Sequence, residues 1–131
     1  MQKLVNYHSD LRHGAVFRFP GSYPHEKYVD LMLVEFPNSD RKYGFVVSTG
    51  YKAGLILVML PQEAELEHSA GVSRQWVIDN WNKWIYETCS VDDVYVDKNY
   101  PVPASLILCR QLTWMLLHEA NRAGPEQAAF R

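Results

Sequence analysis

The sequence predicts an α+β protein in which an antiparallel meander of about four to five strands packs against two main helices. Four runs rich in β-forming residues lie between residues 14 and 60, and turn-forming loops separate them. Two longer stretches with helical periodicity follow, one after Ser73 and one after Pro103. Short loops between consecutive strands favour antiparallel pairing. The 131 residues, 47% of them hydrophobic, fit a single domain spanning residues 1–131.

The predicted strands follow one another along the first half of the chain. Residues Gly14–Phe19 alternate and stop at Pro20-Gly21, a strong turn signal. Tyr28–Phe36 is largely apolar on both faces, so it should lie centrally in the sheet or have Asp30 and Glu35 near its exposed ends. Further strands are predicted at Tyr43–Ser48, Leu55–Leu60 and Val91–Asp97. The segment Lys3–Tyr7 is either a short strand or a loose arm. The segment Pro61–Gly71 is predicted to be a linker with a short helical turn.

The first predicted helix begins after Ser73, whose hydroxyl can accept a hydrogen bond from an N–H of the first turn. Three of the four tryptophans belong to this helix. At about 100° per residue, the residues within roughly 60° of Trp81 are Val77, Ile78, Trp84 and Ile85, which form a core stripe. Trp76 falls about 140° away and should point outward, in a row with Asp79, Asn80, Lys83 and Glu87. Packing is the ordinary role of such tryptophans, and Trp76 could instead anchor a partner.

The second predicted helix spans Ala104–Ala123 and ends at Gly124-Pro125. Its apolar residues form two nearly opposite faces. One consists of Leu108, Leu112, Met115 and Leu116, and the other of Ile107, Trp114 and Leu117. A helix of this kind is generally sandwiched between layers or covered by another subunit. The pattern therefore leaves open a homodimer through the C-terminal helix.

Charge and composition exclude several classes of protein. The net charge is −2, so no general attraction to nucleic acid or to an anionic membrane is expected. No window approaches about 18 consecutive apolar residues, which argues against a membrane span. The polar N-terminal residues do not fit a signal peptide, and we expect a cytoplasmic protein. Cys89 and Cys109 have no metal-ligand spacing and fit a reducing compartment.

No catalytic or cofactor motif is present. The sequence lacks GxSxG, P-loop and GxGxxG patterns. None of the five histidines pairs at the i, i+4 spacing of two metal ligands on a helix, although His8 and His13 could meet if the N-terminal arm doubles back. Asp92 and Asp93 fit a solvated acidic edge better than a cation site. We therefore predict no catalytic residue, no cofactor, no metal and no enzymatic activity.

Three segments carry a family resemblance: HGAVFRFPGSYP (His13–Pro24), YVDLMLVEFPNSDRKYGFVVSTGYKAGLILVMLPQEA (Tyr28–Ala64) and QWVIDNWNKWIYETCSVDDVYV (Gln75–Val96). They resemble the immunity protein 45 family, one of the small bacterial proteins that protect a toxin-producing cell by binding the toxin. The resemblance implies that this chain is a binder of a cognate secreted toxin. It carries over no catalytic residues.

The charge distribution predicts where such a toxin would bind. Residues 61–100 contain three Lys/Arg and eight Asp/Glu, so the acidic excess lies in and around the tryptophan helix. An acidic surface can occupy the basic cleft of a toxin that attacks nucleic acid, and so occlude its active site. A toxin acting in the cytoplasm, such as a nuclease, a deaminase or a nucleotide-modifying enzyme, is favoured. The predicted toxin-binding residues are Trp76, Asp79, Glu87, Asp92 and Asp93.

Two other functions stay open on sequence alone. The first is a small-ligand-binding or enzymatic domain with a pocket between the sheet and the helices. The tyrosines that could line that pocket are Tyr7, Tyr28, Tyr43 and Tyr51. The second is a structural adaptor that dimerises through the final helix. Fold and composition do not assign function between these alternatives.

Overall fold

Six strands form one antiparallel sheet in the computed structural model, which describes residues 1–100. The strands are β1 (Gln2–Lys3), β2 (Val16–Pro20), β3 (Tyr28–Glu35), β4 (Tyr43–Val47), β5 (Ile56–Met59) and β6 (Tyr95–Asp97). Their spatial order is β1-β6-β2-β3-β4-β5. The predicted meander is therefore confirmed for β2 to β5. The predicted count of four to five strands is too low, because Gln2–Lys3 pairs with β6 and adds a sixth strand. The prediction that Lys3–Tyr7 is a short strand or a loose arm is wrong for most of its length, because Leu4–Asn6 form a 3-10 turn with Leu4 buried.

Strand β3 lies between β2 and β4, at the centre of the sheet, as its apolar faces predicted. Every second residue of β3 is buried in the core, and Leu31 pairs with Phe17 on one side and Val47 on the other. The structure differs from the prediction at Asp30, which is 2% exposed and does not lie at an exposed end. A buried carboxylate is tolerated only with strong partners, and Asp30 has them.

Helix α1 spans Arg74–Asn80 and continues without interruption into a π-helical segment, Trp81–Ile85. The predicted N-cap is confirmed, because the Ser73 hydroxyl accepts a hydrogen bond from the backbone N–H of Trp76 at 3.2 Å. Trp81 is completely buried, and its ring centroid lies 6.2 Å from that of Phe17 and 5.2 Å from that of Phe19. This aromatic contact attaches the helix to one face of the sheet, which we call the covered face.

Short 3-10 turns complete the described chain at Leu4–Asn6, Gln62–Ala64 and Val91–Asp93. The turn at Gln62–Ala64 confirms the helical turn predicted in the linker. The predicted strand Val91–Asp97 is shorter than expected, since its first three residues form a turn and β6 begins at Tyr95. The Ser90 hydroxyl caps that turn by accepting a hydrogen bond from the Asp92 N–H at 3.3 Å.

Some predictions concern residues that the structure does not describe. The second helix, Ala104–Ala123, the homodimer through it and Cys109 all lie outside residues 1–100. The single domain over residues 1–131 likewise stays a prediction, while Met1–Tyr100 form one compact unit. Within that unit, none of the helices combines the length and the hydrophobicity needed to cross a membrane.

Candidate functional site

The five predicted toxin-binding residues are distributed over two surfaces. Trp76 and Asp79 lie on the helix that packs on the covered face of the sheet. Asp93 lines a groove together with Arg18 and Tyr95, which are cross-strand partners on β2 and β6. Because side chains alternate along a strand, Arg18 points to the opposite side from its core-facing neighbours Phe17 and Phe19. Arg18 and Tyr95 therefore lie on the face of the sheet opposite the helix, while Asp93 lies in the turn before β6, near the buried Cys89.

The helix-side surface contains a groove of about 590 Å³, which we call the tryptophan groove. It is lined by Glu63, Trp76, Asn80, Lys83 and Trp84. The two indole rings contact each other in a tilted arrangement, with centroids 5.8 Å apart. Trp76 is half-buried and packs against the core, so the prediction that it points freely outward is only partly right.

The π-helical segment explains why the two tryptophans meet. In a regular α-helix, Trp84 would fall on the core side with Trp81. The π-turn is wider, and the backbone N–H of Tyr86 donates to the carbonyl of Trp81 five residues earlier at 2.9 Å. Each residue in it advances by less than the roughly 100° of an α-helix. Trp84 is thereby rotated toward Trp76, while it stays partly buried and packed against the core, as the predicted core stripe required.

Asn82 fixes the chain that follows this segment. Its side-chain amide donates to the backbone carbonyls of Tyr86 at 3.2 Å, Glu87 at 3.1 Å and Cys89 at 2.7 Å. Glu87 is exposed and lines a second groove, to which Lys83 and Trp84 also belong. Since those two residues line both grooves, Trp76 and Glu87 lie on one continuous surface.

The charge of this helix-side surface is mixed but acidic overall. Asp79 is exposed, and one of its carboxylate oxygens accepts a hydrogen bond from Gln75 Nε2 at 2.9 Å. Glu63, Asp79 and Glu87 outnumber the single cation of the grooves, Lys83. None of these three carboxylates forms an ion pair within residues 1–100. Within the described part of the chain, no cation therefore pairs with these three carboxylates.

The second surface holds Asp92 and Asp93, both exposed in the 3-10 turn before β6. Asp93 lines a groove of about 300 Å³ with Arg18, Phe19, Pro20, Tyr28 and Tyr95, which we call the tyrosine groove. Asp92 is not among its lining residues. Burial raises the pKa of the Cys89 thiol, and the negative charge of Asp93 adds to that increase.

Arg18 is held at this groove by a buried carboxylate. Its Nε and Nη2 donate to the two oxygens of Asp30 at 2.7 and 2.8 Å. The Tyr100 hydroxyl donates to the same carboxylate at 3.0 Å, and it lies 2.5 Å from Ser48 Oγ. The hydrogen bonds to Asp30 raise the pKa of Arg18, and burial raises that of Tyr100. Sequence reasoning missed this network, although an acid inside an apolar strand is a signal for it.

A polar groove of about 530 Å³ lies at the N-terminal arm. His8 and His13 both line it, as expected if the arm doubles back. His13 Nδ1 accepts a hydrogen bond from the Glu35 N–H at 2.9 Å, so a neutral His13 carries its proton on Nε2. Over residues 1–100, no three His, Cys, Asp or Glu side chains converge in a way that could hold a metal ion.

The four tyrosines of the predicted ligand pocket do not share one groove. Tyr43 is buried in the core, and Tyr51 is 72% exposed. Tyr7 lines the N-terminal groove, whereas Tyr28 lines the tyrosine groove. The arrangement therefore gives no support to a pocket built from this set.

Comparison with known proteins gives one match. The model of the family described as Immunity protein 45 matches residues 4–96. The matched range includes all five predicted toxin-binding residues and every residue that lines the tryptophan and tyrosine grooves. No curated protein and no solved structure matches the chain.

Proposed function

The chain belongs to the immunity protein 45 family, and from that membership we propose that it binds and neutralises a cognate secreted bacterial toxin. The family match over residues 4–96 is the observation that carries this proposal. The protein acts by binding and needs no catalytic residue of its own. It meets the toxin in the cytoplasm, where the toxin would otherwise attack its substrate.

The mode of neutralisation we propose is occlusion of the toxin's active site by an acidic surface. Residues 61–100 contain eight Asp/Glu and three Lys/Arg. A toxin that acts on nucleic acid or nucleotides needs a basic cleft, because its substrate carries phosphate charge. Complementary charge accelerates association and disfavours wrong partners. The acidic segment supports this mode over one in which apolar contacts alone determine the partner.

The toxin contacts we propose are Trp76, Asp79, Glu87, Asp92 and Asp93. Trp76 offers an aromatic anchor in a groove, which is the type of residue that dominates many interfaces. Asp79 and Glu87 supply charge on the same surface, while Asp92 and Asp93 supply it from the turn before β6. Trp76 and Asp93 line different grooves, so we expect variants of the two groups to differ in their effect on toxin binding.

Protection of growing cells tests the proposal. The toxin is first identified by capturing it with the tagged protein from the producing cells. Its toxic domain is then expressed from an inducible promoter in a susceptible host, with and without this protein. We expect growth to be restored by the protein and lost again when its binding surface is changed. Growth arrest in the presence of abundant folded protein would contradict the proposal.

Two combined variants identify the surface that the toxin covers. One replaces Trp76, Asp79 and Glu87 by Ala, Asn and Gln, and the other replaces Asp92 and Asp93 by Asn. We expect at least one of them to reduce affinity for the toxin by tenfold or more, which is about 1.4 kcal/mol. If both bind the toxin as tightly as the unchanged protein, the proposed contacts are wrong even though neutralisation stands.

A further inference from the structure

The tyrosine groove combines exposed aromatic rings with one positively and one negatively charged side chain. Its walls include two exposed aromatic rings, Tyr28 at 58% and Tyr95 at 40% exposure. Its charged residues are Arg18 and Asp93. Cross-strand pairing places Tyr95 and Asp30 on either side of Arg18, which gives this end of the sheet a fixed geometry.

The charge of Arg18 is already satisfied within the protein. Its guanidinium makes a two-pronged hydrogen bond to Asp30, and that carboxylate is 2% exposed. Such a pair is strong and geometrically rigid. A ligand therefore meets a neutral Arg18–Asp30 pair, and an incoming anion would have to compete with a buried carboxylate for the guanidinium.

The charge of Asp93 is not satisfied in the same way. Asp93 is exposed, and it forms no ion pair with any of residues 1–100. Among residues 1–100, the groove therefore holds one carboxylate, that of Asp93, which no cation pairs. A carboxylate beside aromatic rings attracts a cation through both charge pairing and cation–π contact.

The aromatic walls indicate which kind of cation fits. The Lys27 ammonium lies 5.9 Å from the Tyr28 ring centroid, at the outer limit of a cation–π contact, so this ring already has a cation beside it. Tyr95 is the aromatic wall next to Arg18 across the β2–β6 pairing. A planar guanidinium can stack on such a ring while it donates two hydrogen bonds to a carboxylate, and an ammonium cannot do both as well.

We propose that the tyrosine groove receives an arginine side chain of the cognate toxin, with Asp93 as its ion-pair partner and Tyr95 as its stacking surface. This inference rests on the proposed function. It adds that the protein recognises the toxin by receiving one basic side chain of it in this groove. The Arg18–Asp30 pair keeps the groove rigid before the toxin binds. A preformed site of this kind reduces the entropy lost on association.

The first experiment needs no toxin and uses a blocked arginine, N-acetyl-arginine methylamide, as the probe. It is titrated into the isotopically labelled full chain while amide resonances are followed by NMR. The control probe is the corresponding citrulline derivative, which has the same shape without the charge. We expect saturable shifts at Asp93 and Tyr95 with the arginine probe and none with the citrulline probe.

A matched pair of variants makes this titration specific. Asp93→Asn and Asp40→Asn each remove one exposed carboxylate, but Asp40 lies in the loop between β3 and β4 and does not line the groove. We expect Asp93→Asn to abolish the saturable shifts at Tyr95 and Asp40→Asn to retain them. Equal loss in both variants, or shifts spread evenly over the exposed carboxylates, would overturn the inference in favour of general charge attraction.

The second experiment measures the same variants against the captured toxin domain. Asp93→Asn should raise the dissociation rate and weaken affinity about tenfold, because a direct ion pair is lost. Asp40→Asn should change the affinity by about threefold or less, because Asp40 is not among the proposed contacts. Circular dichroism checks that the variants Tyr28→Ala and Tyr95→Ala are folded. The folded Tyr95→Ala variant should bind the toxin domain more weakly than the unchanged protein.

The outcomes separate this inference from the proposed function. If the toxin binds Asp93→Asn and Tyr95→Ala with unchanged affinity, the arginine site is wrong while the immunity function stands. If no toxin is bound by the unchanged protein but the arginine probe still saturates the groove, the proposed function fails and the site for a basic side chain is real.

Discussion

Asp30 is the residue whose environment departs most from what its type suggests. It is buried, and its carboxylate depends on Arg18 and Tyr100 for hydrogen bonds. Arg18→Ala removes the charged partner and leaves the carboxylate with the tyrosine alone. Arg18 is half exposed, so breaking this pair should cost less stability than breaking a fully buried one. We expect the unfolding free energy to fall by about 1–3 kcal/mol.

Urea denaturation measures the Arg18 effect, and Arg41→Ala is its control. Arg41 is an exposed arginine whose Nη1 donates one long hydrogen bond, 3.3 Å, to the Met59 carbonyl. Its substitution should change stability by less than about 0.5 kcal/mol. Equal unfolding free energies for the two variants would show that the Arg18–Asp30 pair does not stabilise the fold.

Cys89 should react slowly with alkylating reagents. Burial, and then the charge of Asp93, raises the pKa of its thiol above the ordinary 9.0. The thiolate, which is the reactive form, is therefore scarcer than in an unfolded chain at the same pH. Mass spectrometry of the Cys89 peptide after iodoacetamide treatment at pH 8 should show labelling about tenfold or more slower than in urea. Equal rates in the folded and unfolded protein would contradict this.

The same shift makes stability depend on pH. A pKa that is higher in the folded state means that the folded chain holds its proton while the unfolded chain has lost it. The contribution of Cys89 to the unfolding free energy should therefore be constant below about pH 8 and fall as the pH rises past 9. Burial also raises the pKa values of Tyr43 and Tyr100, so their contributions have the same sign. Urea unfolding at pH 7 and pH 10 measures the difference, and higher stability at pH 10 would refute it.

At the scale of elements, the helix that carries Trp76 depends on its N-cap. Ser73→Ala removes the acceptor for the Trp76 N–H and should cost about 1 kcal/mol of unfolding free energy. Ser73→Asp retains an acceptor and places a negative charge at the helix N-terminus, so it should be as stable as the unchanged protein. A thermal unfolding series checks both, and an equally large loss in the two variants would rule out capping as the cause.

The sequence predicts these elements unevenly, for physical reasons. The β2–β5 meander and the Ser73 cap were identifiable because alternation and capping are local signals. The π-helical turn at Trp81–Ile85 was not, since its sequence keeps an ordinary helical periodicity and only the backbone reveals the wider turn. The contact between Trp76 and Trp84 was not predicted for that reason. β1 was not identified, because it consists of two residues, Gln2 and Lys3, that are ordered by pairing with β6, and the predicted segment Lys3–Tyr7 shares only Lys3 with it.

The candidate site was predicted in composition but not in arrangement. The acidic excess around the tryptophan helix could be counted from the residues. Trp76 and Asp93 line different grooves, and this placement depends on strand order and on the return of β6 to β2, which no local pattern specifies. The tyrosine groove was missed for the same reason, because Arg18, Tyr28 and Tyr95 come from three strands.

For the whole molecule, the central claim is that binding by this protein abolishes the toxin's activity. The most direct measurement is a titration of the purified toxin domain, assayed on the substrate it attacks, with the full-length protein. We predict that activity falls linearly and reaches the background level at one equivalent, as for a tight complex that occludes the active site. Full toxin activity in the presence of excess folded protein would contradict the account.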